Sequence, residues 1–183
     1  MSQTIYFLPG HGGRISNGLG QAIAARGFDV VGRETVGAFK KLDFDVQLET
    51  IAHDLKANFW RDDAWVIANS YGAYLLLLAL SSLQAFPGKM LLLSPIVGEL
   101  TNDKTNMGFI PPYAKRLYEQ ALNGKYPIPK HCEIHVGSED WQSIPDNVTA
   151  FASLVDAKVT VLEGAGHSLP KAYVAGVLDK WLT

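Results

Sequence analysis

Two adjacent stretches near the middle of the chain constrain its fold more than any other feature. Residues 64–68 form a continuous apolar run with β-branched and aromatic side chains, and residues 72–83 are apolar on nearly every side of a helix. A strand without polar alternation is covered on both faces, as in parallel sheets, and a helix that is apolar all round must itself be buried. The two stretches therefore predict a buried strand that leads directly into a buried helix.

Short β-rich runs alternate with helical patterns along the whole chain. The runs span residues 4–8, 28–31, 64–68, 90–93, 132–136 and 158–162. Such alternation is typical of βα units on a parallel sheet. We expect a fold of the α/β class, a three-layer α/β/α sandwich with a mostly or wholly parallel sheet of about six strands. The weaker run at 28–31 is expected near the sheet edge.

Size and charge limit the organisation and the partners of the chain. Its 183 residues predict a single domain, 1–183, with a short cap-like excursion at about residues 97–130. Sixteen basic and eighteen acidic residues give a net charge of −2, so we expect neither nucleic acid nor a membrane surface as a partner. No apolar run reaches the roughly 18 residues of a membrane span, and residues 1–8 lack a signal-peptide pattern, so a cytoplasmic location is expected. Nothing in the sequence decides between a monomer and a homodimer.

The strongest local signal for chemistry is Ala68-Asn69-Ser70-Tyr71-Gly72, which lies between the predicted buried strand and the predicted buried helix. Small residues two positions before and two after a serine let strand and helix approach closely, and the sharp turn strains the serine backbone. Such a turn presents Ser70 Oγ at the carboxyl edge of the sheet, beside the positive end of a helix. As a bare string the pattern is also common in ordinary turns, so its position carries the prediction that Ser70 is a nucleophile.

Five histidines are candidates for the general base that a serine nucleophile requires. His53 lies on the charged side of an amphipathic helix, where we expect solvent exposure. His131 and His135 bracket a strand, where we expect structural roles. His167 lies in the loop Gly164-Ala165-Gly166-His167-Ser168, between the last strand and the last helix, where an imidazole can reach over the sheet edge. We therefore predict His167 as the base.

An imidazole that acts as the base for a serine needs a carboxylate that orients it and stabilises its protonated form. Asp140 follows the run 132–136 after a short turn, so it stands at the carboxyl end of a strand, as Ser70 does. We predict Asp140 as this acid and keep its neighbour Glu139 as the alternative. Asp146 is expected to cap the next helix.

The loop Pro9-Gly10-His11-Gly12-Gly13 follows the first strand, and its glycines let backbone N–H groups approach a ligand closely. An N–H group of His11 or Gly12, together with that of Tyr71, is predicted to form an oxyanion hole. A dinucleotide-binding loop is the competing interpretation. It is disfavoured because Ile15 stands where a third small residue is needed, and no acidic residue ends a clear second strand.

No cofactor and no metal ion is expected. The chain contains no Gly-Lys-Ser/Thr phosphate loop. His131 and His135 are four residues apart on a predicted strand, which separates them by about 13 Å, too far to bind one ion directly. The single cysteine, Cys132, lies in an apolar alternating stretch and is expected to be a buried bystander.

Four segments of this chain resemble motifs of the α/β-hydrolase superfamily. In chain order, the loop at residues 9–13 resembles the oxyanion loop, the turn at Ser70 the nucleophile elbow, the loop with Asp140 the acid loop and the loop with His167 the histidine loop. The resemblance covers nearly the whole chain. Within the superfamily, the chain is similar to the short retinoblastoma-binding-protein-type serine hydrolases, which implies a reduced α/β-hydrolase fold. It implies Ser70 as nucleophile, His167 as base and Asp140 as acid. Two departures are visible: Ala68 replaces the first elbow glycine, and Asp140 lies one residue further than usual from Ile144-Pro145.

The resemblance implies hydrolysis of an ester, thioester or amide of a small acyl substrate through an acyl-enzyme. Loop residues with aromatic, apolar and basic side chains are the expected substrate contacts, and they are Arg14, Ile15, Ile96, Met107 and Trp141, together with Tyr71. The alternative is a binding module that keeps the fold and holds a protein partner without catalysis.

Overall fold

The computed structural model describes residues 3–102 and 107–183, which form a parallel sheet with helices on both faces. In chain order the elements are β1 (Thr4–Leu8), α1 (Gly18–Ala24), β2 (Asp29–Gly32), α2 (Gly37–Lys40), α3 (Phe44–Asn58), β3 (Trp65–Asn69), α4 (Ser70–Leu80), β4 (Lys89–Leu93), β5 (Leu100–Asn102), β6 (Met107–Phe109), α5 (Arg116–Leu122), β7 (His131–Gly137), α6 (Pro145–Leu154), β8 (Lys158–Leu162) and α7 (Lys171–Trp181).

The main sheet has six strands in the order β2-β1-β3-β4-β7-β8, and every neighbouring pair is parallel. The chain first adds β2 on one side of β1 and then continues with β3 on the other side. The order therefore reverses between β1 and β3, and ligands of open α/β sheets bind outside the carboxyl ends of strands at such a reversal. The loops after β1 and β3 meet at this point.

Both faces of the sheet are covered, which confirms the expected three-layer sandwich. Side chains alternate along each strand, so Tyr6 and Leu8 of β1 pack in one core layer while Ile5 and Phe7 pack in the other. Helices α3, α4, α5 and α6 contribute to the first layer, and α1 and α7 contribute to the second. The predicted edge position of the weak second strand is also confirmed, because β2 ends the sheet.

Helix α4 is buried along nearly its whole length, as its all-apolar sequence predicts. All of its residues from 72 to 80 are buried, and residues 73–80 are at most 3% exposed. The helix begins at Ser70, two residues earlier than the apolar pattern indicates, because the chain enters it directly from β3. It ends at Leu80 and not at residue 83.

The excursion after β4 is packed onto the first core layer. It contains the antiparallel pair β5 and β6 and the short helix α5. Leu117 of α5 is fully buried, and the Tyr126 hydroxyl donates a hydrogen bond to the Leu77 carbonyl oxygen at 3.0 Å. The β5–β6 pair and α2 are short elements that the sequence patterns do not predict. Among the described residues, no helix combines the length and the apolarity that crossing a membrane requires.

The predicted cap at Asp146 is wrong. Helix α6 begins at Pro145, its N-cap residue is Ile144, and Asp146 lies inside the first turn. Proline is favoured at the first helical position because its fixed φ suits the helix and its missing N–H would have no intrahelical acceptor there. A carboxylate in the first turn still interacts favourably with the positive end of the helix.

Gly72 permits the closest approach of β1 to the β3–α4 turn. A Cβ atom at position 72 would lie 2.3 Å from the Pro9 carbonyl oxygen and 2.4 Å from the Leu8 carbonyl oxygen. Both neighbours are backbone atoms of a central strand and the loop after it, so neither yields easily. Any side chain at this position would push α4 away from the end of β1.

We expect Gly72→Ala to lower the free energy of unfolding by about 1–3 kcal/mol or more, because an added methyl group overpacks this contact. The matched control is Gly176→Ala in α7, where an added Cβ would meet no atom within 4 Å. There alanine should raise the free energy of unfolding by about 0.5–1 kcal/mol through its better helix propensity. Urea unfolding of both variants measures the difference. Equal stability of the two variants would contradict the close approach.

Candidate active site

Ser70 lies where β3 ends and α4 begins, with its backbone in the left-handed region at φ 51°. A non-glycine residue in this region carries strain on the order of 1–2 kcal/mol, which persists only where the surrounding structure imposes it. Ala68 and Gly72 on either side are fully buried or nearly so. The turn leaves the Ser70 side chain half-buried at the carboxyl edge of the sheet.

His167 connects Ser70 to Asp140 through its two ring nitrogens. Ser70 Oγ lies 2.8 Å from His167 Nε2, and His167 Nδ1 lies 3.0 Å from each carboxylate oxygen of Asp140. With Nδ1–H donated to the carboxylate, Nε2 is left to accept the Ser70 hydroxyl proton. Ser70 comes from the turn between β3 and α4, whereas Asp140 and His167 come from the loops after β7 and β8. The three side chains form one continuous hydrogen-bonded chain.

Asp140 is fixed by the backbone of its own loop. Its Oδ1 accepts hydrogen bonds from the backbone N–H groups of Gln142 at 2.9 Å and Ser143 at 2.8 Å. The Asp140 side chain is fully buried, while Glu139 is exposed to solvent. The structure therefore brings Asp140, and not the alternative Glu139, against His167.

Ser94 and Ser143 also belong to this cluster, although the sequence patterns do not single them out. Ser143 is 1% exposed, and its Oγ donates to the Ser94 carbonyl oxygen at 2.5 Å and lies 3.5 Å from His167 Nδ1. Ser94 directly follows β4 and has a left-handed backbone at φ 43°. The position of Ser94 after a buried strand, ahead of a proline, is the one signal that could have indicated it.

The loop after β1 is held beside Ser70 by side-chain hydrogen bonds. Gly10 N–H donates to Asn69 Oδ1 at 3.0 Å, and Gly13 N–H donates to Thr35 Oγ1 at 3.0 Å. The Thr35 hydroxyl in turn donates to the Gly10 carbonyl oxygen. Because the N–H groups of Gly10 and Gly13 hold the loop, those of His11 and Gly12 are the candidates for binding a ligand.

Tyr71 supplies the second candidate oxyanion donor. Its backbone N–H belongs to the first turn of α4, where such groups have no acceptor within the helix. The Tyr71 ring lies 5.9 Å from the His11 ring, edge to face, so the predicted donors stand on neighbouring segments. Burial raises the pKa of the Tyr71 phenol, which keeps that side chain neutral.

The predicted substrate contacts are spread over several environments. Arg14 is exposed and forms an ion pair with Glu34 at 3.4 Å. Ile15 and Trp141 are partly buried against the core, one in each layer. Ile96 is only 5% exposed and packs in the first core layer. The Met107 side chain lies outside the described part of the structure.

The remaining histidines stand apart from this cluster. His53 and His131 are exposed. His135 is buried, and its ring nitrogens lie 2.7 Å from the Tyr173 hydroxyl and 2.9 Å from Glu133 Oε1. Burial lowers the pKa of His135, against the opposing effect of Glu133. In residues 3–102 and 107–183, no group of three or more His, Cys, Asp or Glu side chains could hold a metal ion.

No protein-family model matches the sequence, and no curated protein matches it. Solved structures do resemble it. The ydeN gene product of B. subtilis has 17% identity, covers 99% of both chains and gives a TM-score of 0.66. MGS-MChE2 is an α/β-hydrolase enzyme from the metagenome of Mar Chica lagoon sediments in Morocco. It has 15% identity to this chain, the match covers 100% of this chain and 91% of that chain, and the TM-score is 0.64.

A carboxylesterase structure from the thaumarchaeon Nitrososphaera gargenis has 13% identity, covers 99% of this chain and 90% of that chain, and gives a TM-score of 0.63. Likeness at such low identity establishes the fold, which is the α/β-hydrolase fold expected from the sequence. The narrower resemblance to the retinoblastoma-binding-protein-type hydrolases stays a prediction.

Cys132 offers a check on which nucleophile the folded protein presents. Burial raises the pKa of its thiol to about 12, and Glu133 adds to the effect. We expect a thiol reagent such as DTNB at pH 8 to react with the native protein at least about 100-fold more slowly than with the urea-unfolded protein, because the thiolate fraction falls. Equal rates in the two states would show that Cys132 is accessible and ionised.

Proposed function

From the α/β-hydrolase fold and the geometry around Ser70, we propose that this protein is a serine hydrolase. It cleaves an ester, thioester or amide of a small acyl substrate through an acyl-enzyme. The observation that carries the proposal is the hydrogen-bonded chain from Ser70 Oγ through the His167 imidazole to the buried Asp140 carboxylate, with distances of 2.8 Å and 3.0 Å.

In the acylation step, His167 Nε2 accepts the hydroxyl proton as Ser70 Oγ attacks the substrate carbonyl carbon. The resulting imidazolium is stabilised by the Asp140 carboxylate. His167 then gives the proton to the leaving oxygen, nitrogen or sulfur atom, and the bond between that atom and the carbonyl carbon breaks. In the second half, His167 Nε2 accepts a proton from water as the water oxygen attacks the acyl carbon. The bond between that carbon and Ser70 Oγ then breaks, and His167 returns the proton to Ser70 Oγ as the acid is released.

The oxyanion that forms during each half-reaction requires preorganised donors. The N–H group of Tyr71 and one from His11 or Gly12 fill this role in the proposal. The loop that carries His11 and Gly12 is held in place by hydrogen bonds from Gly10 to Asn69 and from Gly13 to Thr35. Losing one such donor typically lowers the rate on the order of 10²–10³-fold.

The resemblance to a carboxylesterase favours esters among the three substrate classes. A partner-binding module is the second candidate function. It is favoured by exposed apolar side chains on the excursion, where Ile110 is 69% exposed and Leu122 is 60% exposed. The two functions differ in whether the Ser70 hydroxyl reacts.

We expect a fluorophosphonate probe to label the native protein, because Ser70 Oγ attacks phosphorus and displaces fluoride. Ser70→Ala should remove the label and lower turnover of p-nitrophenyl acetate on the order of 10⁴-fold or more. The control is Ser153→Ala, which changes an exposed serine of α6 and should label like the wild type. Labelling that survives in Ser70→Ala would refute Ser70 as nucleophile, and its absence from the wild type would favour the binding module.

A pair of neighbouring variants tests which carboxylate acts on His167. Asp140→Asn should lower kcat on the order of 10⁴-fold, because the amide cannot stabilise the imidazolium and favours the wrong tautomer. Glu139→Gln neutralises an exposed neighbour and should change kcat by no more than about twofold. Steady-state hydrolysis of p-nitrophenyl acetate gives both values, with thermal unfolding as the check on folding. The reverse pattern would assign the role to Glu139.

A further inference from the structure

A cavity of about 450 Å³ adjoins His167 between helices α1 and α7. Its walls are mostly apolar side chains of these helices, with Asn69, Ser94 and His167 at the sheet edge. The helices contribute Leu19, Ala22, Val174, Ala175 and Leu178 to these walls. A cavity of this volume holds a group of on the order of ten non-hydrogen atoms.

Ser94 contributes to the lining of this cavity a hydroxyl group without a hydrogen-bond partner among the described residues. The residue is 4% exposed. Buried hydroxyl groups almost always find a partner in folded proteins. A ligand atom in the adjoining cavity would supply one.

The position of the cavity relative to the reacting atoms indicates which part of a substrate it receives. The cavity is lined by His167, but not by Ser70 or by the candidate oxyanion donors His11, Gly12 and Tyr71. In acyl transfer the carbonyl oxygen faces the oxyanion donors, whereas the leaving atom faces the imidazole that protonates it. The part of the substrate beside His167 is therefore the leaving group.

We propose that this cavity binds the leaving group of the substrate, and that this group is a neutral alcohol with a largely apolar body. The inference rests on the proposed hydrolase function. When the tetrahedral intermediate collapses, the bond between the carbonyl carbon and the alkoxy oxygen breaks, and its electron pair stays on that oxygen. His167 Nε2 donates its proton there, and the free alcohol leaves from the cavity.

The charges around the cavity argue against a cationic alcohol such as an amino alcohol. Its lining contains the exposed Lys171 and no carboxylate. A positive group would be desolvated there without an opposite charge to compensate. The apolar walls contributed by Leu19, Val174 and Leu178 suit an alkyl or aryl body instead.

The test varies the alcohol while the acyl group stays fixed. Methyl acetate and hexyl acetate are compared in the wild type and in Ala22→Leu, which narrows the cavity from the α1 side. The matched control is Ala24→Leu on the same helix, because Ala24 is exposed and does not line the cavity. We expect Ala22→Leu to lower kcat/KM for hexyl acetate about tenfold or more, with methyl acetate little changed. Ala24→Leu should behave as the wild type does.

A second variant guards against poor folding of the first, and a further ester separates effects on the acyl side from effects on the alcohol side. Ala175→Leu narrows the same cavity from α7 and replaces Ala22→Leu if thermal unfolding shows that the latter folds poorly. Methyl hexanoate carries the long chain on the acyl side. Selective loss of methyl hexanoate hydrolysis in either variant, or equal loss of all three esters, would overturn the leaving-group assignment.

Methyl acetate hydrolysis that requires Ser70 reports on the proposed function separately. If it persists while the cavity variants leave hexyl acetate unaffected, the leaving-group inference alone is wrong. If the wild type hydrolyses none of the three esters but a fluorophosphonate labels Ser70, the inference alone fails. If Ser70 is not labelled either, the proposed function and the inference both fail.

Discussion

The turn from β3 into α4 is the constraint on which the candidate site depends. Ser70 can hold its left-handed backbone there only because strand and helix approach closely on either side of it. Gly72 brings the start of α4 against the carbonyl oxygens of Leu8 and Pro9, so the same contact ties the turn to the loop after β1. One packing requirement thus places a hydroxyl group, a helix N-terminus and a glycine-rich loop at the reversal point of the sheet.

The polar groups of the site are concentrated at one edge of an apolar scaffold. Below that edge, residues 66–68 of β3 and 72–80 of α4 are buried, and they position the site without contributing reactive groups. Above it, Asp140 is held by backbone N–H groups, and Ser143 links its loop to Ser94 at the end of β4. The loops after neighbouring strands therefore orient His167 together. Helices α1 and α7 enclose a cavity beside the His167 ring.

Most of the fold could be predicted from the sequence because its periodicities are strong. The bounds of β1 and β8 agree with the predicted runs, and those of the remaining strands of the main sheet differ by at most one residue at each end. The β5–β6 pair and α2 could not be predicted, since three or four residues carry too little pattern. Local propensity favours an aspartate as cap and so predicts Asp146, but Pro145 occupies the first helical position, and the helix therefore begins one residue before Asp146.

The sequence by itself determined the parallel sheet, the buried strand and helix around Ser70, and the loops that carry Asp140 and His167, because each depends on the local order of apolar, small and polar residues. Only the tertiary structure decided that Asp140, and not Glu139, meets the imidazole. Adjacent residues point in different directions, and the choice depends on which side chain the loop backbone turns inward. The tertiary structure also decided that Ser94 and Ser143 lie beside His167 and that a cavity lies between α1 and α7. Both features arise where segments distant in sequence pack together.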